Sequence, residues 1–141
     1  MRAVTDSSLV FFGVHVTVAD IQASVDFYRR IGLPLPDSSG IGEHVEIDLG
    51  HGVHLALSTE LVARMYDPGW RSPSMPPASA LQFQLASRDA VDDMYRALTA
   101  AGYQGHLPPI DAFWGSRYAE VDDPDGVIVG FHGPTDPNRA S

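Results

Sequence analysis

The sequence predicts an α+β fold. Two copies of one module, each a strand, a helix and about three further strands, form a curved mixed sheet. The sheet is expected as a half-barrel around a cleft, with the helices on its outer face. Three observations predict this. The chain repeats itself at a spacing of 67 residues. Each copy passes from alternating to helical periodicity across a capping residue. Further alternating segments with turn chemistry follow each helix.

The repeat places "VHVTVADIQASVDFYRRIG", from Val14, over "LQFQLASRDAVDDMYRALTAAG", from Leu81. Val14, Val16 and Val18 meet Leu81, Phe83 and Leu85, and Tyr28-Arg29 meets Tyr95-Arg96. Strand, cap and helix recurring at one spacing is the signature of a duplicated module. In the first strand Gly13, His15 and Thr17 share the face opposite the valines. In the second, Ala80, Gln82 and Gln84 oppose Leu81, Phe83 and Leu85. Asp20 and Ser87 are N-caps, because their side chains accept from free amides of the first helical turn. Ile21, Val25, Tyr28 and Ile31 form one apolar helical stripe, and Val91, Met94, Tyr95 and Leu98 form the other. Gly32 and Gly102 stand where a helix end favours a left-handed residue.

"HVEIDL" and "GVHLALS" alternate as strands, with His44, Glu46 and Asp48 on one face and His54, Ala56 and Ser58 on another. "SRYAEVDD" and "VIVGFH" are the corresponding strands of the second copy, joined by "DPDG", Asp123–Gly126. There Pro presets φ and Gly completes the turn. The chain therefore reads as a single domain over 1–141. Module one covers 9–59, a connection 60–78, module two 79–133 and a loose tail 134–141. The connection starts as a short helix and becomes irregular from Asp67, where Pro, Gly and Ser accumulate. Apolar strand faces pack on each module's own helix, and the polar faces line the cleft, a favoured place for small-molecule sites.

Composition narrows the function classes. With no cysteine, disulfides, zinc–thiolate centres and cysteine nucleophiles are excluded. The net charge of −9 argues against nucleic acid, which is bound by basic surface. No signal peptide pattern and no membrane-length apolar run is present, so a cytoplasmic protein without a membrane partner is expected. No phosphate loop, nucleophile elbow or HExxH pattern occurs. The carboxylates of Asp122, Asp123 and Asp125 read as a solvated turn.

The segment "FWGSRYAEVDDPDG", Phe113 to Gly126, and the passage "VADIQASVDFYRRIGL", Val18 to Leu33, resemble the vicinal oxygen chelate superfamily. That group includes glyoxalase I, extradiol dioxygenases, fosfomycin-resistance enzymes, methylmalonyl-CoA epimerase and bleomycin-resistance proteins. The resemblance covers most of residues 9–133. It implies duplicated βαβββ modules, a homodimer, and metal ligands on the first and last strands of each module in metal-dependent members. Counted from the matching motifs, those ligand positions fall on Gly13, Ala56, Ala80 and Gly130, none of which has a coordinating side chain.

The resemblance therefore implies a metal-free member, nearest in function to bleomycin-resistance proteins. The expected function is binding of a small organic molecule in the cleft, with a cationic aromatic antibiotic to be sequestered as one candidate and antibiotic resistance as the role. No cofactor and no metal is assigned. The ligand-binding residues are expected to be His15, Glu46, His54, Gln82, Trp114, Tyr118 and His132, with no catalytic residue assigned. Trp114 is either an aromatic plate for the ligand or a loop anchor, and Phe113 is expected in the core. Arg117 is expected to position a strand or loop.

One alternative is a metal-dependent glyoxalase- or dioxygenase-type enzyme with a relocated site on His15, His54 and His132. Those residues stand two places from the vacated positions, but in different directions along their strands. Two residues of strand amount to about 6.6 Å, against metal–nitrogen bonds of about 2.0–2.1 Å. A second alternative is a regulatory or accessory protein-binding domain, marked by an exposed apolar patch around 60–78.

Overall fold

The computed structural model describes residues 9–75 and 78–140. The first eight residues, Pro76 and Pro77 of the connection, and Ser141 of the tail lie outside the described residues. The chain divides into two compact units, one ending at Arg71 and one beginning at Ser72.

The first unit contains β1 (Gly13–Val18), α1 (Ile21–Arg30), β2 (His44–Asp48), β3 (His54–Thr59) and α2 (Glu60–Tyr66). Its sheet has the order β1-β3-β2, with β1 parallel and β2 antiparallel to β3. Asp20 caps α1 by accepting from the Ala23 amide at 3.2 Å, and Gly32 ends the passage with a positive φ. Val18, Ile21, Val25, Phe27 and Tyr28 are buried with Val45, Leu55 and Leu57, so the apolar faces of helix and strands make this unit's core. Only two strands follow α1, where three were expected. Residues 33–43 contain Pro34 and Pro36, which have no amide to give a ladder, and they run as loop, although Leu35 is still buried.

The second unit contains β4 (Ala80–Gln84), α3 (Arg88–Ala100), β5 (Gly105–Asp111), β6 (Arg117–Asp122), β7 (Ile128–His132) and a 3₁₀ turn at Pro137–Arg139. Here the order is β4-β7-β6-β5, with β4 parallel to β7 and the other pairs antiparallel. Ser87 caps α3 through the Ala90 amide at 3.1 Å. Val91, Leu98, Ala119, Val121, Val129 and Phe131 are buried. β5 carries Pro108 and Pro109 and shifts register against β6 twice. Prolines are confined to edges and bulges in this way. Both sheets are mixed and neither is closed, so the α+β class is met.

Turn chemistry accounts for the "WGSR" and "DPDG" segments. The buried Asp123 carboxylate accepts from the amides of Asp125 at 2.8 Å and Val127 at 2.9 Å. It is a structural turn carboxylate. Gly115 adopts a positive φ, and a Cβ there would run into the Asp136 carbonyl. The Asp136 amide donates to the Gly115 carbonyl at 3.0 Å, and the hydroxyls of Ser116 and Thr135 meet at 2.9 Å. These bonds hold the start of the tail against the Trp114–Ser116 turn.

Phe113 corrects an expectation: it is 70% exposed instead of buried. The tight turn closed by Gly115 N–H to Ala112 C=O, 3.0 Å, directs it outward while Trp114 takes the inner position.

Candidate functional site

In the second unit, pairing of β6 with β7 brings Tyr118 opposite His132, Glu120 opposite Gly130 and Asp122 opposite Ile128. β4 adds Gln82 opposite Gly130. Strand parity puts all of these on the face turned away from α3. Tyr118, Trp114 and His132 form an aromatic cluster. The Tyr118 and His132 ring centroids are 4.5 Å apart, Trp114 and Tyr118 5.4 Å, and Trp114 and His132 5.8 Å. Gln82 Nε2 donates to the Tyr118 hydroxyl at 3.3 Å, and that hydroxyl donates to Glu120 Oε2 at 2.6 Å.

Burial, aided by the Glu120 acceptor, pushes the Tyr118 phenol up to about 12, so it stays neutral and donating. Burial also lowers the pKa of His132, which favours its uncharged form. The acidic groups are Glu120 and Asp122, joined by His106 of β5. His106 Nδ1 lies 3.1 Å from Asp122 Oδ1, and His106 Nε2 lies 3.9 Å from Glu120 Oε1. The Asp122 Oδ1 has no hydrogen-bond partner among the described residues, so the His106 contact is a close approach without an aligned bond. Trp114 Nε1 is a buried donor without a hydrogen-bond partner among the described residues. The face therefore offers aromatic rings, neutral donors and two carboxylates.

The first unit has a corresponding face. Asp48, Glu46 and His44 stand opposite His54, Ala56 and Ser58, and His15 stands opposite Ala56. His54 Nδ1 pairs with Glu46 Oε2 at 3.1 Å, and the Phe12 ring stacks on His54 with centroids 4.4 Å apart. Among the described residues His15 makes no such pair. Its Nε2 meets the Ser58 hydroxyl, which His44 also contacts.

The structure thus brings Gln82, Trp114, Tyr118 and His132 together, and separately pairs His54 with Glu46. The predicted set omitted Glu120, His106, Asp122, His44 and Ser58. Alternation already assigned most of these to the polar faces, but their partners follow from register. His106 lies in the proline-containing segment "GHLPP", which carries no alternation signal. Arg117 points to the helix side, where Asp92 at 2.9 Å and Asp111 at 3.2 Å bind it. These partners, Asp92 foremost, raise its pKa, and a positioning role fits. A 390 Å³ cavity on that helix side is lined by Asp92, Tyr95, Arg96, Thr99, Pro109 and Arg117.

The family's metal positions can be tested against this geometry. Gln82 faces Gly130 as His15 faces Ala56, and Glu120 faces Gly130 as Glu46 faces Ala56. Ala56 is therefore the counterpart of Gly130. At Gly130 a Cβ would stand 2.5 Å from the Tyr118 hydroxyl oxygen and 3.0 Å from its Cε1 and Cζ. The phenol fills that space. At Gly13 a Cβ would run into the His54 backbone. None of Gly13, Ala56, Ala80 and Gly130 supplies a donor, so these residues do not fit a metal at those positions. Among the described residues, no group of three or more His, Asp and Glu side chains is placed to hold a metal ion. None of the described helices is long and apolar enough to cross a membrane.

Two units that share strand–helix–strand order, parallel first-to-last strand pairing and a polar sheet face define a duplicated glyoxalase-type fold. The model of the Glyoxalase/Bleomycin resistance protein/Dioxygenase superfamily matches residues 10–131, and the chain belongs to that family. Solved structures agree. A glyoxalase-related enzyme from Fulvimarina pelagi superposes with a TM-score of 0.74 at 24% identity, covering 90% of this chain and 88% of that one. A glyoxalase/bleomycin resistance protein/dioxygenase from Nocardioides gives 0.67 at 25% identity, over 94% and 88%. A family enzyme from Burkholderia phytofirmans PsJN gives 0.72 at 20% identity, over 86% and 96%. No curated protein matches the chain.

Proposed function

We propose that the chain binds a small, planar organic cation without a metal, and that the polar face of the second unit is where it does so. The observation that carries this reading is Tyr118 lying over Gly130. An aromatic hydroxyl fills the space that a metal-dependent relative would give to a ligand side chain. Beside it, Trp114 and His132 supply ring surface, and Glu120 and Asp122 supply negative charge. Stacking and cation–π contacts on Trp are worth about 0.5–2 kcal/mol. Sequestration of a cationic aromatic antibiotic is the form of this function that the family suggests.

The test is equilibrium titration with a panel of cationic aromatic antibiotics, read by isothermal titration calorimetry, whose signal does not depend on Trp114. Micromolar binding is expected, weakened about tenfold by Trp114→Ala, which corresponds to about 1.4 kcal/mol. No binding near micromolar across the panel would count decisively against it. Homodimerisation belongs to the same reading. Leu9, Val10, Phe11, Phe12, Leu61 and Met65 are all exposed large apolar residues, and a second copy would cover them. Sedimentation as a strict monomer at micromolar concentration would rule the dimer out.

A further inference from the structure

Two histidines of the first unit meet on one buried hydroxyl. Ser58, on the central strand β3, is fully buried. His15 of β1 places Nε2 at 2.8 Å from its Oγ, and His44 of β2 places Nδ1 at 2.6 Å. Both histidines are exposed. Their rings meet edge to face with centroids 6.3 Å apart, and the Tyr66 ring of α2 stands 6.5 Å from His15. Glu46, the carboxylate on the same strand face as His44, is taken by His54.

A serine hydroxyl has one proton to donate. With both imidazoles neutral, Ser58 donates to one ring nitrogen and must accept from the other. If it donates to His44 Nδ1, then His44 carries its proton on Nε2, and His15, donating from Nε2, has a bare Nδ1. If it donates to His15, the pattern inverts. In either arrangement one outer nitrogen is a base and the other an acid. His15 Nδ1 and His44 Nε2 have no hydrogen-bond partner among the described residues. A base and an acid are thus offered on one face, coupled through a hydroxyl that solvent does not reach.

We propose that His15, Ser58 and His44 form a metal-free proton-transfer site for small carbonyl compounds with an acidic C–H bond, 1,3-dicarbonyls above all. His15 Nδ1 takes the proton from the carbon between the carbonyls. The C–H pair becomes the C=C bond of the enol, and the carbonyl π pair moves to oxygen. That oxygen takes the proton of His44 Nε2. Within the relay, the His15 Nε2 proton passes to Ser58 Oγ, and the Ser58 proton passes to His44 Nδ1. The substrate leaves as its enol, the protein keeps its charge, and both rings end in the opposite tautomer. The reverse transfer restores them. No oxidant, reductant or further reactant is consumed. The site lies in the other unit from the binding face proposed above and does not depend on it.

The experiment uses the full chain in a chelator with 2,4-pentanedione, following keto–enol interconversion by the ultraviolet absorbance of the enol. General acid–base catalysis contributes about 10²–10⁴-fold, so the wild type should exceed an equal concentration of free imidazole by about a hundredfold. Ser58→Ala should lose at least tenfold of this. His15→Gln, at an exposed position, should lose as much while unfolding at the wild-type temperature, so the result stands even if Ser58→Ala fails to fold. Nitrogen-15 NMR should show His15 and His44 in the same tautomer in the wild type, both protonated at Nε2 or both at Nδ1, because they meet Ser58 through different ring nitrogens. A wild type no faster than imidazole, or a His15→Gln variant as fast as wild type, overturns the proposal.

Discussion

Replacing Gly130 with alanine tests the central contact of the second unit. The new methyl carbon would stand 2.5 Å from the Tyr118 hydroxyl oxygen. Carbon contacts settle near 3.5–4.0 Å, so the phenol must retreat by about 1 Å. An exposed side chain would do this at little cost. Tyr118 is 5% exposed and wedged between Trp114 and His132, and its hydroxyl is held by Glu120 at 2.6 Å. Overpacking of this kind costs about 1–3 kcal/mol. Loss of a hydrogen bond to a charged group is worth about 1.5–3 kcal/mol. The two effects describe one displacement and overlap, so about 2 kcal/mol is expected. At about 2–4 °C per kcal/mol, Tm should fall by about 4–8 °C. Denaturant unfolding of Gly130→Ala, Tyr118→Ala and the double variant gives the coupling. Removing the phenol should relieve the methyl, leaving the double variant at least about 1 kcal/mol more stable than additivity predicts. A Gly130→Ala protein within 0.5 kcal/mol of wild type, or strict additivity, would refute the packing described here.

The Tyr118 phenol, raised to about 12, should ionise well above the ordinary phenol value of about 10. A spectrophotometric titration of the folded protein in which Tyr118→Phe removes an ionisation near 10 would contradict this. Because its folded pKa lies above the unfolded value, the unfolded chain releases this proton first, and stability should fall as pH rises above about 10. His132 has the opposite sign. Its pKa is lowered by burial, so below about 6.5 the unfolded chain binds more protons and stability falls with falling pH. His132→Gln should flatten that part of the stability–pH curve, and an unchanged slope would count against it. Asp123→Ala strips the acceptor from the Asp125 and Val127 amides and should cost about 1–3 kcal/mol by denaturant unfolding; a neutral result would show that the turn holds without it.

Much of the fold was legible because local chemistry and tertiary structure agree. Asp20 and Ser87 cap as their type requires, and β1, β3, β6 and β7 form where the sequence alternates. Two places were not legible. The first module carries one strand fewer than the repeat suggests, since Pro34 and Pro36 remove ladder donors after α1. β5 forms despite Pro108 and Pro109, because an edge strand needs only one bonded side and here bends through two register shifts. The polar faces were predicted correctly as faces, yet alternation carries no information about neighbours across strands. Nothing in "GVHVTVAD" says that His15 will share Ser58 with His44, a residue 29 positions away. Likewise Tyr118 reaches Gly130 diagonally across β6 and β7, and only the register Tyr118–His132 makes that reach possible. Phe113 and Trp114, adjacent in sequence, exchange the roles an apolar pair suggests because the turn at Gly115 selects which one faces inward.

The paired prolines of β5 also bear on how the protein survives in a crowded cell. A bare strand edge is a template on which other chains can lay themselves down. At Pro108 and Pro109 two successive backbone nitrogens carry no hydrogen, and the bulged register bends the strand there. An incoming segment would find neither a straight track nor a continuous row of donors. The departure from regular strand chemistry that hid β5 from pattern reading is thus a guard against templated aggregation.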